Sequence, residues 1–121
     1  MRSQDYLLRQ VKGKYNNKKT VIDGVSFDSK KEAEHYSYLK LLQKANKIKE
    51  LELQPRFLIH PKFTDFSGEK HRAIYYVADF KYWDIEKKRY IVEDVKGMKT
   101  EVYKIKKKLF LAKFAYQFYE I

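Results

Sequence analysis

Apolar residues recur at helical spacing in two segments of the chain. The first segment runs to about residue 47 and contains Ala33, Tyr36, Leu39, Leu42 and Ala45, so it predicts a helix. Ser29 precedes it and Glu32 follows three residues later, which is the spacing of a capping box at a helix start. A second helix is expected after Thr100, with an apolar stripe and an outer basic face. The stripe consists of Val102, Ile105, Leu109 and Ala112, and the basic face of Lys104, Lys107 and Lys108.

Segments rich in β-branched and aromatic residues predict strands around these helices. Residues 21–27 form a predicted hairpin whose turn is Asp23-Gly24. Further strands are expected at residues 48–60, interrupted at Pro55, and at residues 72–83, 89–96 and 115–121, whereas residues 61–70 are expected to form a loop. The order helix, three strands, helix, strand predicts an α/β fold with a mixed sheet flanked by helices.

Length and charge limit the classes to which the protein can belong. Its 121 residues suit one domain, which we assign to residues 21–121 behind a basic arm at residues 1–20. Lys12 and Lys14 of this arm either follow a phosphate backbone or belong to a solubilising tail. The chain carries 27 Lys and Arg against 16 Asp and Glu, a net charge of +11, which favours nucleic acid as the partner. Lysine far outnumbers arginine, which predicts contact with the phosphate backbone more than with base edges.

Composition excludes several classes of site. The chain has no cysteine, which excludes a disulfide scaffold, a zinc finger and a thiol nucleophile. Its three histidines match no spacing of metal ligands. No apolar run approaches the roughly 20 residues of a membrane span, and residues 1–10 contain no signal-peptide core. We therefore expect a cytoplasmic protein with no membrane partner.

Three acidic residues stand inside apolar strands, where carboxylates are disfavoured. They are Asp79 and the adjacent pair Glu93 and Asp94, and each could simply face water on an alternating strand. However, alternation directs Asp94 and Lys96 to one face, and a hairpin between the two strands puts Asp79 opposite residue 93 or 94. Asp79, Asp94 and Lys96 are therefore predicted to cluster.

This cluster has the chemistry of a magnesium site. Two carboxylates and a free carbonyl are the oxygen ligands that Mg²⁺ prefers, and Mn²⁺ can substitute for it. A lysine beside the ion can activate a water or stabilise charge at phosphorus. In a basic protein, such a site favours hydrolysis of nucleic-acid phosphodiesters.

The same residues resemble the motif of the PD-(D/E)XK nuclease superfamily, which has an Asp on one strand and then Asp or Glu, any residue and Lys on the next. In more detail, the chain is similar to a phage and prophage group of small nucleases described as Holliday-junction-resolvase-like. Blocks at residues 27–33, 51–55, 76–80 and 92–97 carry this similarity, although Ala78 stands where the motif has proline. The resemblance implies an αβββαβ, restriction-endonuclease-like core.

Roles for individual residues follow from the resemblance. Asp79 and Asp94 would bind the metal together with the backbone carbonyl of Val95, and Lys96 would help to activate the water. Glu32 on the first helix would complete the site, with a contact to the metal that is either direct or through a water.

Several of these assignments leave an alternative open. Glu32 could serve only the capping box, and Glu34 competes for its place in the site. Gln54 either supports the site or is a polar residue of an edge strand. The residues around the second helix that would contact phosphate are Lys99, Thr100, Lys104, Lys106 and Lys108. Alternatively, Thr100 is a plain helix cap and the lysines form a solvated face.

The function implied by the resemblance is a Mg²⁺-dependent endodeoxyribonuclease, without a small-molecule cofactor, that acts on branched or duplex DNA in phage recombination, replication or packaging. Resolution of a junction needs two symmetric cuts, so a homodimer is expected. Two other classes of protein remain open. One is a non-catalytic nucleic-acid-binding relative, and the other is a structural or host-interaction protein whose basic surface meets an acidic partner.

Overall fold

The structure is a computed structural model that describes residues 19–95 and 99–121. The predictions for Lys12, Lys14 and Lys96 lie outside the described residues. The helices are α1 (Lys30–Lys44) and α2 (Glu101–Lys113). The strands are β1 (Thr20–Ile22), β2 (Val25–Phe27), β3 (Ile48–Leu53), β4 (Arg56–His60), β5 (Phe63–Thr64), β6 (Lys70–His71), β7 (Ile74–Val77), β8 (Phe80–Asp84), β9 (Arg89–Asp94) and β10 (Gln117–Glu120). The chain divides into two compact units, one ending at Tyr38 and the other covering Leu39–Ile121.

The unit that ends at Tyr38 contains a hairpin and the first turns of α1. β1 and β2 pair antiparallel through a turn in which Asp23 and Gly24 have φ values of 54° and 76°. Two consecutive positive φ values match the twist of a tight hairpin, and the predicted hairpin is confirmed. Ser29 Oγ accepts the backbone N–H of Glu32 at 3.0 Å, as the capping-box spacing predicts. The Tyr36 hydroxyl donates to the Asp23 carboxylate at 3.1 Å, which joins the helix to the hairpin.

The main sheet of the second unit has four strands in the order β10-β9-β8-β3. β8 runs antiparallel to both β3 and β9, whereas β10 lies parallel to β9. Parallel neighbours need a crossover connection, and α2 lies in the connection between β9 and β10. The predicted α/β fold with a mixed sheet is confirmed.

The segment predicted as one strand at residues 72–83 is two strands in different sheets. β7 pairs with β4, and β8 pairs with β3 and β9. The change of sheet occurs at Asp79, whose N–H donates to the Glu93 carbonyl at 3.1 Å and whose carbonyl accepts the Gln54 N–H at 2.9 Å. The predicted interruption at Pro55 lies beside it, because the Pro55 carbonyl accepts the Ala78 N–H at 3.1 Å. The chain segments at Pro55 and Asp79 thus hydrogen-bond to each other through their backbones, and the β4–β7 pair leaves the main sheet at this point.

The predicted loop at residues 61–70 contains most of a short ribbon. β5 and β6 pair antiparallel, with Phe63 opposite His71 and Thr64 opposite Lys70. The turn between them includes Ser67 and Gly68, and Gly68 has a φ of 92°, which suits glycine. Strands of two residues are too short to produce a period in the sequence, so the pattern gave no signal for them.

α2 packs with a different face from the one that its apolar stripe predicts. Phe110 is fully buried, and its ring lies 4.7 Å from that of Phe57 and 4.9 Å from that of Tyr76. By contrast, Val102, Ile105 and Leu109 are 62%, 59% and 45% exposed. The expectation that this stripe faces the core was wrong, as was the outward placement of Lys107, which is half-buried.

The reason for this orientation is the shape of the surface that α2 covers. The helix contacts β4 and β7, and large rings fill the space between them. The cluster includes Phe57, Tyr76, Val92 and Phe110, with Tyr103, Phe114, Tyr116 and Phe118 packed against it. Burial of aromatic side chains removes more apolar surface from water than burial of the aliphatic stripe would.

Two adjacent residues of α2 test this packing. Phe110→Ala is expected to lower the free energy of unfolding by about 3–5 kcal/mol, since it removes a buried ring and leaves a cavity. Leu109→Ala, on the exposed stripe, is expected to cost less than about 1 kcal/mol. Urea unfolding followed by circular dichroism measures both, and a larger loss for Leu109→Ala would contradict the observed face.

Candidate active site

Asp79 and Asp94 lie where β8 begins and β9 ends. The last register pair between these strands is Phe80 opposite Glu93, and Asp79 and Asp94 are the next residues on either side. By strand alternation Asp94 belongs to the face that carries Val92, and the Asp79 N–H bonds across the strand ends to the Glu93 carbonyl. The register therefore places Asp79 and Asp94 at the same end of the β8–β9 pair.

Asp79 is half-buried and ties the two strand ends together. Its Oδ2 accepts the backbone N–H of Val95 at 2.7 Å, while its backbone bonds to Glu93 and Gln54. A carboxylate that accepts a backbone N–H gains a charge-assisted bond and a fixed orientation. Asp79 is thus held against the residue whose carbonyl is the third predicted metal ligand.

Asp94 is fully buried and is bonded to a core tyrosine. Its Oδ2 accepts the hydroxyl of Tyr76, which is itself 2% exposed. Burial, together with the bond to Asp94, raises the pKa of Tyr76 well above its usual range. The hydroxyl therefore stays protonated and donates, and it compensates in part for the cost of removing the carboxylate from water.

Glu120 is a third carboxylate of this edge, and sequence analysis missed it. It lies opposite Asp94 in the parallel β9–β10 register. Its side chain accepts the Tyr103 hydroxyl and forms ion pairs with Lys99 and Lys107 at 3.0 and 3.1 Å. The bond from Tyr103, supported by the two lysines, lowers the pKa of Glu120 to about 2. Glu120 is therefore charged at neutral pH, and the two lysines neutralise its charge locally.

Two tyrosines connect Asp94 to Glu120. The rings of Tyr76 and Tyr103 have centroids 6.3 Å apart, and their hydroxyls interact. Burial and the bond to Glu120 raise the pKa of Tyr103 above its usual range. Both phenols are therefore neutral donors, which position the carboxylates and do not act as bases at neutral pH.

Glu93 belongs to the other face of β9. It is 5% exposed, and it accepts the Tyr82 hydroxyl at 2.6 Å. Burial and this bond raise the pKa of Tyr82 well above its usual range. Of the two adjacent acids, Asp94 therefore lies on the face that carries Val92, and Glu93 is bonded on the opposite side of the sheet.

The remaining predicted acids and Gln54 have separate placements. Gln54 is exposed with a φ of 50°, and its backbone bond to the Asp79 carbonyl supports that residue through the main chain. Glu32 is half-buried in the first turn of α1, and Glu34 is exposed. Both glutamates belong to the unit that ends at Tyr38.

The predicted phosphate contacts near α2 have mixed placements. Thr100 is the N-cap of the helix, because its side chain accepts the Tyr103 N–H at 3.1 Å, so the capping alternative is confirmed. Lys104 pairs with a glutamate one turn away at 3.2 Å. Lys106 is half-buried and Lys108 is exposed.

The donor set of the strand edge fits a hard cation. Asp79 and Asp94 supply carboxylate oxygens, and the carbonyl of Val95 follows directly after β9. Oxygen donors of this kind suit Mg²⁺, which keeps several waters and needs few protein ligands. The agreement with a Mg²⁺ site thus concerns the kind of donor atoms and their position at the strand ends.

A second group of potential ligands lies on the β5–β6 ribbon. Among the described residues, ligand atoms of Asp65, Glu69 and His71 lie within 4.8 Å of one another. Asp65 is already engaged, since hydrogen bonds from His71 and Ser67 lower its pKa to about 2. This group therefore serves the turn that it spans.

Comparison with known families assigns the sequence to one of them. The sequence matches the family described as "Protein of unknown function (DUF1064)" over residues 12–120, and the chain belongs to that family. No curated protein and no solved structure matches the chain. In the part of the chain that the structure describes, neither helix has the length and apolar character to cross a membrane.

Removal of one hydroxyl tests the bond to Asp94. Tyr76→Phe keeps the ring in the core but deprives a fully buried carboxylate of a donor, so we expect a loss of about 1–3 kcal/mol in the free energy of unfolding. Tyr75→Phe on the same strand, whose ring lies 4.1 Å from the Arg56 guanidinium carbon, is the matched control and is expected to stay within about 0.5 kcal/mol. Equal losses in urea unfolding would contradict a special role for the Tyr76 hydroxyl.

The lowered pKa of Glu120 predicts a pH dependence of stability. A carboxyl whose pKa is lower in the folded state stabilises it above the unfolded value of 4.5, and this stabilisation is lost as pH falls toward about 2. Glu120→Gln removes the titration. We therefore expect the variant to be less stable at neutral pH and to lose less stability over the same acid range. Urea unfolding at a series of pH values checks this, and parallel curves for the two proteins would contradict it.

Proposed function

We propose that this protein is a Mg²⁺-dependent DNA endonuclease that hydrolyses phosphodiester bonds, encoded by a phage or prophage and active in the bacterial cytoplasm. The observation that carries the proposal is the pairing of Asp79 and Asp94 at adjacent strand ends. The net charge of +11 supports a polyanionic substrate.

The chain's own residues would divide the work of the site. Asp79 and Asp94 would hold the ion with the Val95 carbonyl, and Tyr76 fixes the orientation of Asp94 from the core side. When bound, Mg²⁺ would stabilise negative charge on the phosphate and lower the pKa of a water. Lys96, by its position in the sequence motif, would orient that water or stabilise charge at phosphorus.

Branched DNA is the substrate that we propose, with a homodimer as the active form. Two cuts related by symmetry resolve a junction, and a symmetric dimer supplies two sites in the required relation. Lys106 and Lys108 on α2 would contribute to contact with the backbone. Binding through phosphates would weaken as salt rises.

Cleavage of labelled four-way junction, flap, single-stranded and linear duplex DNA tests the activity, in Mg²⁺, in Mn²⁺ and in EDTA. We expect metal-dependent cutting that Asp79→Asn and Asp94→Asn each reduce by on the order of 100-fold or more, because a neutral amide binds a hard cation poorly. Asparagine keeps an oxygen that can accept the Val95 N–H or the Tyr76 hydroxyl.

Asp84→Asn is the matched control, since Asp84 lies at the far end of β8 and accepts the Lys87 N–H at 2.8 Å, which an amide oxygen can also accept. This variant should cut at the wild-type rate. DNA binding without cutting on every substrate would overturn the nuclease proposal in favour of a non-catalytic DNA-binding protein. Calorimetry with Mn²⁺ gives an independent readout, with binding to the wild type but not to Asp94→Asn.

A further inference from the structure

The turn of the β5–β6 ribbon holds an aromatic ring fully in water. Phe66 has a relative exposure of 109%, the largest among the exposed apolar residues of the described part of the chain. Phe63, on the adjoining strand, is 46% exposed. Single exposed apolar residues are common, but two phenylalanines on one narrow ribbon form a surface that binding can cover.

This turn is held rigid by a single carboxylate. Asp65 Oδ1 accepts the N–H and the hydroxyl of Ser67 at 2.9 and 2.7 Å, and the N–H of Glu69 at 3.0 Å. Its Oδ2 lies 2.8 Å from His71 Nε2. The backbone adds a bond from the Gly68 N–H to the Asp65 carbonyl at 3.0 Å. A side chain presented by such a turn loses little conformational entropy when it binds.

Cationic and aromatic groups line the flank of the ribbon. The ring of Phe63 stacks on that of His71, with centroids 4.7 Å apart and planes at 14°. A depression of about 310 Å³ lies between Lys62, Phe63, Thr64, Lys70 and His71. Both lysines are exposed, so the ribbon offers ammonium groups and a hydroxyl beside a flat ring.

We propose that the β5–β6 ribbon binds unpaired nucleotides of DNA, with Phe66 stacking on a base and Lys62 and Lys70 contacting the flanking phosphates. Alternation of aromatic faces and positive charges is the arrangement that binds single-stranded nucleic acid. The core of a protein–protein interface is depleted of charged residues, whereas lysines lie directly beside the exposed rings of this ribbon.

The inference rests on the proposed function for the identity of the partner as DNA, and it narrows the substrate class. In a continuous duplex each base stacks on its neighbours, so the Phe66 ring has no free base face to cover. A flap, a gap or the centre of a branched molecule exposes such faces. The ribbon would therefore favour DNA with unpaired bases over plain duplex.

Fluorescence anisotropy in EDTA tests this without cleavage, with flap DNA carrying 2-aminopurine in its unpaired arm and a blunt duplex of equal length. We expect Phe66→Ala to weaken flap binding by about 5- to 100-fold, as the loss of one stacking platform predicts, and to change duplex binding less than about twofold. Phe66→Trp should keep flap affinity and the change in 2-aminopurine emission. Because the side chain is exposed, Phe66→Ala should melt at the wild-type temperature.

Substitutions of two charged residues of the ribbon are expected to change flap binding in opposite directions. Lys70→Gln should weaken binding of the flap, and Glu69→Gln, which removes an exposed negative charge, should strengthen it. Equal affinity of wild type and Phe66→Ala for the flap, or equal losses on flap and duplex, would overturn the inference.

The outcomes separate this inference from the nuclease proposal. Selective flap binding that depends on Phe66, without cutting in Mg²⁺ or Mn²⁺, would leave the ribbon assignment standing and overturn the nuclease. If Phe66→Ala leaves both cutting and binding unchanged on every substrate, the nuclease proposal stands and the ribbon assignment is overturned. Failure of the wild type to bind any of these DNAs would overturn both.

Discussion

The fully buried carboxylate of Asp94 is the constraint on which the rest of the site depends. A carboxylate with no exposed surface is tolerated only where hydrogen bonds replace water. Tyr76 supplies such a bond from β7, a strand that pairs with β4 outside the main sheet. The change of sheet at Asp79 is what lets a residue of β7 lie over the end of β9. One interruption of a strand thus both places the Asp79 carboxylate and brings in the donor that Asp94 requires.

The electrostatics of the strand edge separate its three acids into different roles. Glu120 pairs with Lys99 and Lys107, so its charge is compensated within the protein. Asp94 is bonded to a neutral phenol, and Asp79 accepts a backbone N–H. A neutral donor orients a carboxylate but leaves its charge. Glu120 is thus held by two lysines, whereas a phenol orients Asp94 and a backbone N–H orients Asp79.

The sequence predicted those features of the structure that depend on residues close together in the chain. Alternation and the predicted hairpin between the two strands placed Asp79 opposite residue 93 or 94, and capping chemistry located the starts of both helices at Ser29 and Thr100. The role of Glu120 depends on the parallel register of β10, which is set across a crossover and leaves no local period. The phase of α2 was misjudged because its aliphatic stripe has helical spacing, whereas the groove above β4 and β7 takes aromatic rings. Packing against distant parts of the chain therefore buries Phe110 and leaves Ile105 exposed.

The exposed face of α2 changes how the basic charge of the chain should be interpreted. Two lysines near this helix, Lys99 and Lys107, are committed to Glu120, and the outward stripe of Val102 and Ile105 offers nothing to a phosphate. Net charge draws a polyanion toward the protein as a whole, but it does not select the face that the polyanion contacts. A face that contacts nucleic acid needs cations that are not already paired with acids of the protein. It also needs side chains nearby that can pack against the bases when these lose water. A helix with an aliphatic outer face meets this condition less well than a rigid ribbon with exposed rings between lysines.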